Sequence, residues 1–353
     1  MKTGQTLQSL AALLMQQAQT KHDYMADTRK ALLTTNDSGI KMTMALSEND
    51  SIFDVTDLCH GQIGQHTKIP KPYYDRMRTQ APELLVRNVN HWFEEQPATR
   101  MIRTMDGNAR AFLSDRYRPL DNVDLMEAVY PSLEQTGLNI ASCELTERRL
   151  YLKAISPKVQ GEVKKGDVVQ AGVVISNSEV GSGALSVQPL IYRLVCLNGM
   201  IRQDHQMRQV HAGSKHRNGA GDAWELFSDA TKLQSDKAVF MQARDLAQAF
   251  LKEDFFNKVL EELRSAADDR IESDDIPKVV ERTSKTMDLT EAEGDSVLKR
   301  LAEGGDLTRW GLANAITSVS QDIEDYDRAT ELERAGGKII ELAPRDWSAI
   351  AAA

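Results

Sequence analysis

Between residues 100 and 118 five arginines (Arg100, Arg103, Arg110, Arg116 and Arg118) stand against only Asp106 and Asp115, with Phe112 and Tyr117 among them. This mixture suits a single-stranded nucleic acid, because a planar guanidinium grips phosphate and an aromatic face stacks on an unpaired base. The plainer reading is a solvated strand face on which Asp115 pairs an arginine. A second basic set within 198–219 comprises Arg202, Arg208, Lys215 and Arg217 against Asp204. A mobile basic loop there would close over a nucleic-acid backbone with an affinity that falls as salt rises. A loop with no role is the alternative. His205, His211 and His216 fit neither a metalloprotease nor a finger spacing, so no metal site is expected.

The stretch "NSEVGSGAL", 177–185, looks at first like a phosphate cradle. No lysine follows the second glycine, and what comes next is β-rich and contains Pro189, so a Walker loop is ruled out. The third glycine of a dinucleotide fingerprint is also missing. Gly181 and Gly183 are therefore expected to serve a bend between strands. Glu179 has no visible carboxylate partner. An enzymatic alternative groups it with Asn177 and Asp115 near one site, but no nucleophile, base and orienter set supports it. Cys59 next to His60 is not a dyad, because catalytic partners must meet in space. No catalytic residue and no cofactor are assigned.

These residues need elements to hold them. Leucines at 7, 10, 13 and 14 predict a helix over 5–19, and alternation predicts a strand over 41–49. Two short helices are expected at 54–66 and 71–80, and a third would carry Leu85, Val89 and Trp92. The helical pair could pass for a helix-turn-helix presenting Lys71, Arg76 and Arg78, though such pairs are commonly packing units. Asp106-Gly107 marks a hairpin within 99–117. A helix capped by Asp121 or Asn122 follows, ending before Gly137. A second hairpin turns near Glu147-Arg148, and two more strands lie within 166–202. From about residue 222 the pattern is helical, first in one long amphipathic run and then over 275–286, 289–303, 308–321 and 323–335. The expected class is α+β: antiparallel hairpin-linked strands with packed helices, then a helical C-terminal region. The divisions are 1–98, 99–221 and 222–353, with "HAGSKHRNGAGD" as the break.

The net charge of −9 is unevenly spread. From residue 251 onward there are 14 Lys and Arg against 24 Asp and Glu, which leaves 29 and 28 in the first 250. The acidity belongs to the C-terminal third, so local basic clusters before it could still meet a polyanion. Three well-separated cysteines argue for a reducing compartment, and no apolar run approaches the roughly 20 residues of a membrane span. A cytoplasmic protein is expected.

"FLSDRYRPLDN" and "NSEVGSGALSVQPLIYRLVCLNGM" together resemble the phage/plasmid-like proteins catalogued as a domain of unknown function. The likeness covers about residues 35–330. Ser114, Asp115, Arg116 and Tyr117 match its first block. Asn177, Ser178, Glu179, Gly181, Gly183, Arg193, Cys196, Asn198 and Gly199 match its second. The resemblance implies a mobile-element context and no agreed activity. The layout is also loosely similar to single-strand annealing proteins of the RecT/Red-beta class, which assemble into rings or filaments. The expectation is a homo-oligomeric protein that binds single-stranded DNA and promotes annealing or recombination. Arg100, Arg103, Arg110, Arg116, Arg118 and Arg193 would contact phosphate. Phe112 and Tyr117 would stack on bases, and Arg202, Arg208, Lys215 and Arg217 would clamp. The alternative is an interaction module whose acidic helical third docks a host defence factor.

Overall fold

A computed structural model describes residues 1–37, 39–45, 50–204, 206–211 and 228–353. Lys215 and Arg217 lie outside the described residues, as do His205 and His216. The class is α+β, with two sheets preceding a helical C-terminal region.

Helix α1 (Leu7–Thr20) starts where the Thr6 hydroxyl accepts the Ser9 amide, and buries Leu10 and Leu14. The first sheet is built from β1 (His22–Asp27), β2 (Ala31–Asn36), β3 (Gly39–Ala45), β4 (Asp50–Val55), β5 (Thr99–Met105) and β6 (Asn108–Ser114), in the order β1-β5-β6-β4-β3-β2. β4 and β6 run parallel, which demands a long connection. Helices α2 (Asp57–His66), α3 (Lys71–Gln80) and α4 (Pro82–Glu95) lie in that connection. They cover the sheet with Ile63, Tyr74, Leu85, Val89 and Phe93, packed on Leu33, Met42, Ile102 and Phe112. Leu85, Val89 and Phe93 repeat every four residues, so α4 turns one stripe inward and leaves Trp92 outside it. The expected hairpin turn is present: Asp106 and Gly107 both take positive φ, as a tight two-residue turn requires.

The second sheet is antiparallel, in the order β11 (Asn198–Ile201), β10 (Leu185–Arg193), β9 (Val168–Asn177), β8 (Leu150–Glu162) and β7 (Asn139–Leu145), with β12 (Met207–Gln209) also on β10. Three strands, not two, therefore come from 166–202. The tight apolar spacing of β10 and β11 hides the four-residue turn between them. Helices α5 (Asn122–Gln135) and α6 (Asp229–Phe250) join α1 over Val173, Ile175, Leu185 and Val187. Lys153, Ser176 and Gln188 instead meet α11 (Tyr326–Glu341), through Glu333 and Arg334. With both faces covered, β9 reads as the nearly unbroken apolar run VVQAGVVISN.

The long helical run divides at Leu251 and Lys252 into α6 and α7 (Glu253–Asp268), and α8 (Ile276–Met287), α9 (Glu291–Gly304), α10 (Arg309–Val319), α11 and α12 (Pro344–Ala351) follow. These helices share a core with the sheet: Val163, Val169, Ala171, Ile191 and Met200 pack among Phe256, Leu263, Trp310 and Ile339. The change of pattern near residue 222 is thus no break in packing. No helix among the described residues is long and apolar enough to cross a membrane.

Candidate functional site

The two sequence blocks meet between the sheets. After β9 the chain turns through Ser178–Gly183, whose first three residues are buried and whose carbonyls at Ser178, Glu179, Val180 and Ser182 all accept side-chain donors. The Ser178 hydroxyl accepts the Ser182 amide at 2.9 Å, and the Ser178 carbonyl accepts the Tyr117 hydroxyl at 2.9 Å. Gln62 donates to the Val180 carbonyl, and Arg149 donates to the Ser182 carbonyl. Gly181 has φ +76°, where a Cβ would also lie 2.6 Å from Leu113. At Gly183 a Cβ would strike the Arg149 guanidinium. The glycines therefore shape a bend and leave room for close neighbours, in line with the sequence reading.

Glu179 sits at the centre of a buried ionic network. Its carboxylate accepts the Asn122 amide at 2.7 Å, at the start of α5, and pairs with Arg110. Its carbonyl accepts Arg103 Nη1 at 2.8 Å. Arg103, with no exposed surface, also donates to both Asp23 oxygens and to Asp121 at 2.8 Å. Lys21, the C-cap of α1, lies 2.6 Å from Asp121 and 3.9 Å from Glu179. Three cations thus answer three carboxylates drawn from β1, β5, β6, α1, α5 and the loop. Burial would raise the Asp121 carboxyl, but Arg103 and Lys21 outweigh it and hold it below the ordinary range. Asn177, fully buried, donates to the Leu120 carbonyl and to Asn122 Oδ1.

A cleft of about 360 Å³ opens beside this network. Thr56, Asn108, Arg110 and Glu179 form one part of its wall, and Arg148 and Arg149 of the β7–β8 turn form another. Thr146 fixes that turn by accepting both the Arg148 and Arg149 amides, while its hydroxyl bonds to Asp327 of α11. Arg110 Nη1 rests on the Met105 sulfur, and its buried Nε has no hydrogen-bond partner among the described residues. Asp106, Glu147 and Glu179 also line the cleft, so its three arginines are matched in number by three carboxylates and any positive potential is local to Arg148 and Arg149.

Most of the side chains expected to hold nucleic acid are already engaged inside the protein. Phe112 is buried in the first core and stacked on Phe93 with centroids 5.6 Å apart, so it cannot meet a base. Tyr117 is bound to Ser178 and stacked on His211 at 5.3 Å. Arg118 pairs with Asp236 of α6, and Arg193 holds Asp167, with 2.9 Å between Nη2 and Oδ2. Arg202, 2% exposed, is ringed by Asp204, Glu262 and Glu341 and clamps the helices rather than a ligand. Arg100 donates to His66 Nδ1. Arg116 and Arg208 are exposed, Arg208 opposite Ser186 on β12, and neither lines the cleft. The expected arginine track is thus not continuous, since Arg103, Arg118, Arg193 and Arg202 are held in separate internal ion pairs. Among the described residues, Arg110 alone of those expected lines the cleft. Of the enzymatic grouping, Glu179 and Asn177 are neighbours in the loop region, whereas Asp115 is exposed at the far end of β6 beside Arg100. On the helical pair Arg78 pairs with Asp57, Lys71 pairs with Asp75 and Arg76 donates to Gln80. His60, held down to about 4 by burial, bonds to Tyr74 and not to Cys59.

Lys21 and Asp23 carry no local motif that would mark them in the sequence as parts of the site, and Asp121 is legible there only as a helix cap within the first block. Arg148 and Arg149 are legible there only as a turn. Among the described residues no group of three His, Cys, Asp or Glu is placed to hold a metal.

The model of the domain of unknown function DUF932 matches residues 111–335, more than half of the chain. The matched span opens within β6 and includes both sequence blocks, with Asp121 and Glu179 of the ionic network. No curated protein and no solved structure matches.

Proposed function

The chain belongs to the DUF932 family, whose description assigns no activity, and from the geometry we propose that it binds single-stranded nucleic acid through phosphate groups seated in the cleft between its two sheets. The observation that carries this reading is the convergence of Arg110, Arg148 and Arg149 on one open cleft. Arg110 is held there by Glu179, and Arg148 is exposed. A guanidinium donates charge-assisted hydrogen bonds to a phosphate oxygen, which are stronger than neutral ones. Annealing or recombination of strands and self-assembly are further parts of the same proposal, which rest on the resemblance stated above.

Asp106, Glu147 and Glu179 temper the attraction, and each phosphate contact releases counterions, so binding is expected to weaken as salt rises. The test is fluorescence anisotropy of a labelled oligonucleotide over a salt series, with Arg148→Ala beside the parent. Arg148 is exposed, so its replacement leaves the fold intact. The parent should bind more weakly as salt rises. The variant's salt slope should be shallower by about 0.7 for each single-strand phosphate that Arg148 neutralises. An absence of binding at low salt would sink the reading.

A further inference from the structure

Two aromatic rings stand exposed where core packing does not account for them. Trp92 is 38% exposed and Tyr73 48%, whereas the neighbouring Tyr74 is buried at 2% and bonded to His60. The other tryptophans that the structure describes are buried, Trp310 at 1% and Trp347 at 5%. Tyr73 comes from the start of α3 and Trp92 from the end of α4, yet both line one depression of about 380 Å³. Its wall also holds His66, Lys68, Asn88 and Gln96. Lys68 is exposed and takes a left-handed φ of 56° just past the end of α2. Arg100, donating to His66 Nδ1, brings a second cation against that ring. A guanidinium only donates, so His66 Nδ1 accepts and the ring proton sits on Nε2.

Exposed ring faces, side-chain amides and a nearby ammonium are the groups that recognise a flat heteroaromatic ring: stacking on the face, hydrogen bonds to the edge, charge for an attached phosphate. We infer that this depression is a nucleobase-binding site, in which an unpaired base stacks on Tyr73 and Trp92 while Asn88 and Gln96 meet its edge. The inference rests on the nucleic-acid reading of the cleft and supplies the base stacking that Phe112 and Tyr117 cannot. One helix joins the two places. Thr56, the N-cap of α2, lines the cleft, and His66, its last residue, lines the depression. Ten helical residues span about 15 Å. That is the length of about four nucleotides stacked at about 3.4 Å each.

The test compares a thymidine oligonucleotide with an abasic one of equal length, each bound to the parent protein and to Tyr73→Ala, Trp92→Ala and Trp92→Phe. A stacked base is worth about 1–3 kcal/mol, so each alanine variant should weaken the thymidine oligonucleotide by between about 5-fold and 150-fold. Its binding of the abasic strand should match the parent's, and Trp92→Phe should restore most of the affinity. Alanine variants that bind the thymidine strand as tightly as the parent overturn the base site while the cleft reading stands. Equal weakening of both strands overturns it too, since that marks a structural or phosphate role. If the parent binds neither strand, both proposals fall together.

Discussion

Arg103 illustrates the residue scale. It carries a charge into a place with no solvent, and Asp23, Asp121 and the Glu179 carbonyl make that tolerable. Arg103→Met should therefore destabilise the fold by about 1–3 kcal/mol, because it leaves the buried Glu179 carbonyl without its donor and Asp121 with Lys21 alone. Urea denaturation reads this directly, and a decrease below about 1 kcal/mol would mean that the network is not structural. Three imidazoles add a pH dependence. His60, His66 and His211 are each pushed down to about 4, chiefly by burial, whereas an unfolded histidine titrates near about 6.5. Between those values the unfolded chain binds more protons, so stability falls as pH drops from about 6.5 to 4, and these groups contribute nothing above that window. Burial raises the carboxyls of Asp124, Asp236 and Glu341, which act in the opposite sense. Comparing His211→Gln with the parent at about pH 7.5 and pH 5 isolates one imidazole. The variant should lose less stability on acidification, and an equal decrease would contradict the assignment. Residue types in the sequence point at arginine chemistry but not at its partners. Arg110 and Glu179 lie 69 positions apart and Arg202 and Glu341 139. No local periodicity encodes such pairings, so an arginine that balances a distant carboxylate looks the same in sequence as one facing solvent.

At the scale of elements, the loop between β9 and β10 fixes the cleft. Gly181→Ala places a Cβ against Leu113 in a left-handed conformation. The backbone effect alone costs about 1–2 kcal/mol. A lowered denaturation midpoint at unchanged slope is expected, and an unchanged midpoint would show that the loop relaxes freely. The hairpins at Asp106-Gly107 and Glu147-Arg148 are legible in the sequence because turn residues and alternation agree with the final pairing. So are α1 to α5, whose apolar spacing matches the faces they bury. β1, β2 and β4 are not. β1 and β4 bury little (β1 runs exposed to half-buried throughout, and β4 buries only Val55), so neither carries a run of apolar residues. Spacing alone puts Trp92 on the packed side of its helix, whereas the α4 stripe at Leu85, Val89 and Phe93 leaves it facing outward.

For the whole molecule, the acidic third is bound into the second sheet. Lys153 and Glu333, both without exposed surface, lie 2.6 Å apart, and Tyr151 donates to Asp327 at 2.7 Å. Trp310 donates to Asp167 at 2.9 Å within the same core. The isolated segment 222–353 should consequently fail to fold cooperatively, with weak amide protection and a broad thermal transition. A sharp transition in that fragment would revive the view of it as a separate docking module. The division at residue 222 reflects a change of pattern, and pattern reports local structure while domains are set by which faces share a core. The central claim concerns the place where the two sheets meet. Hydrogen exchange of the full chain with and without a single-stranded oligonucleotide at low salt tests it most directly. New protection is expected in the β5–β6 turn, the β7–β8 turn and the 178–183 loop together. A bound strand that protects other segments and leaves these three unchanged would contradict it.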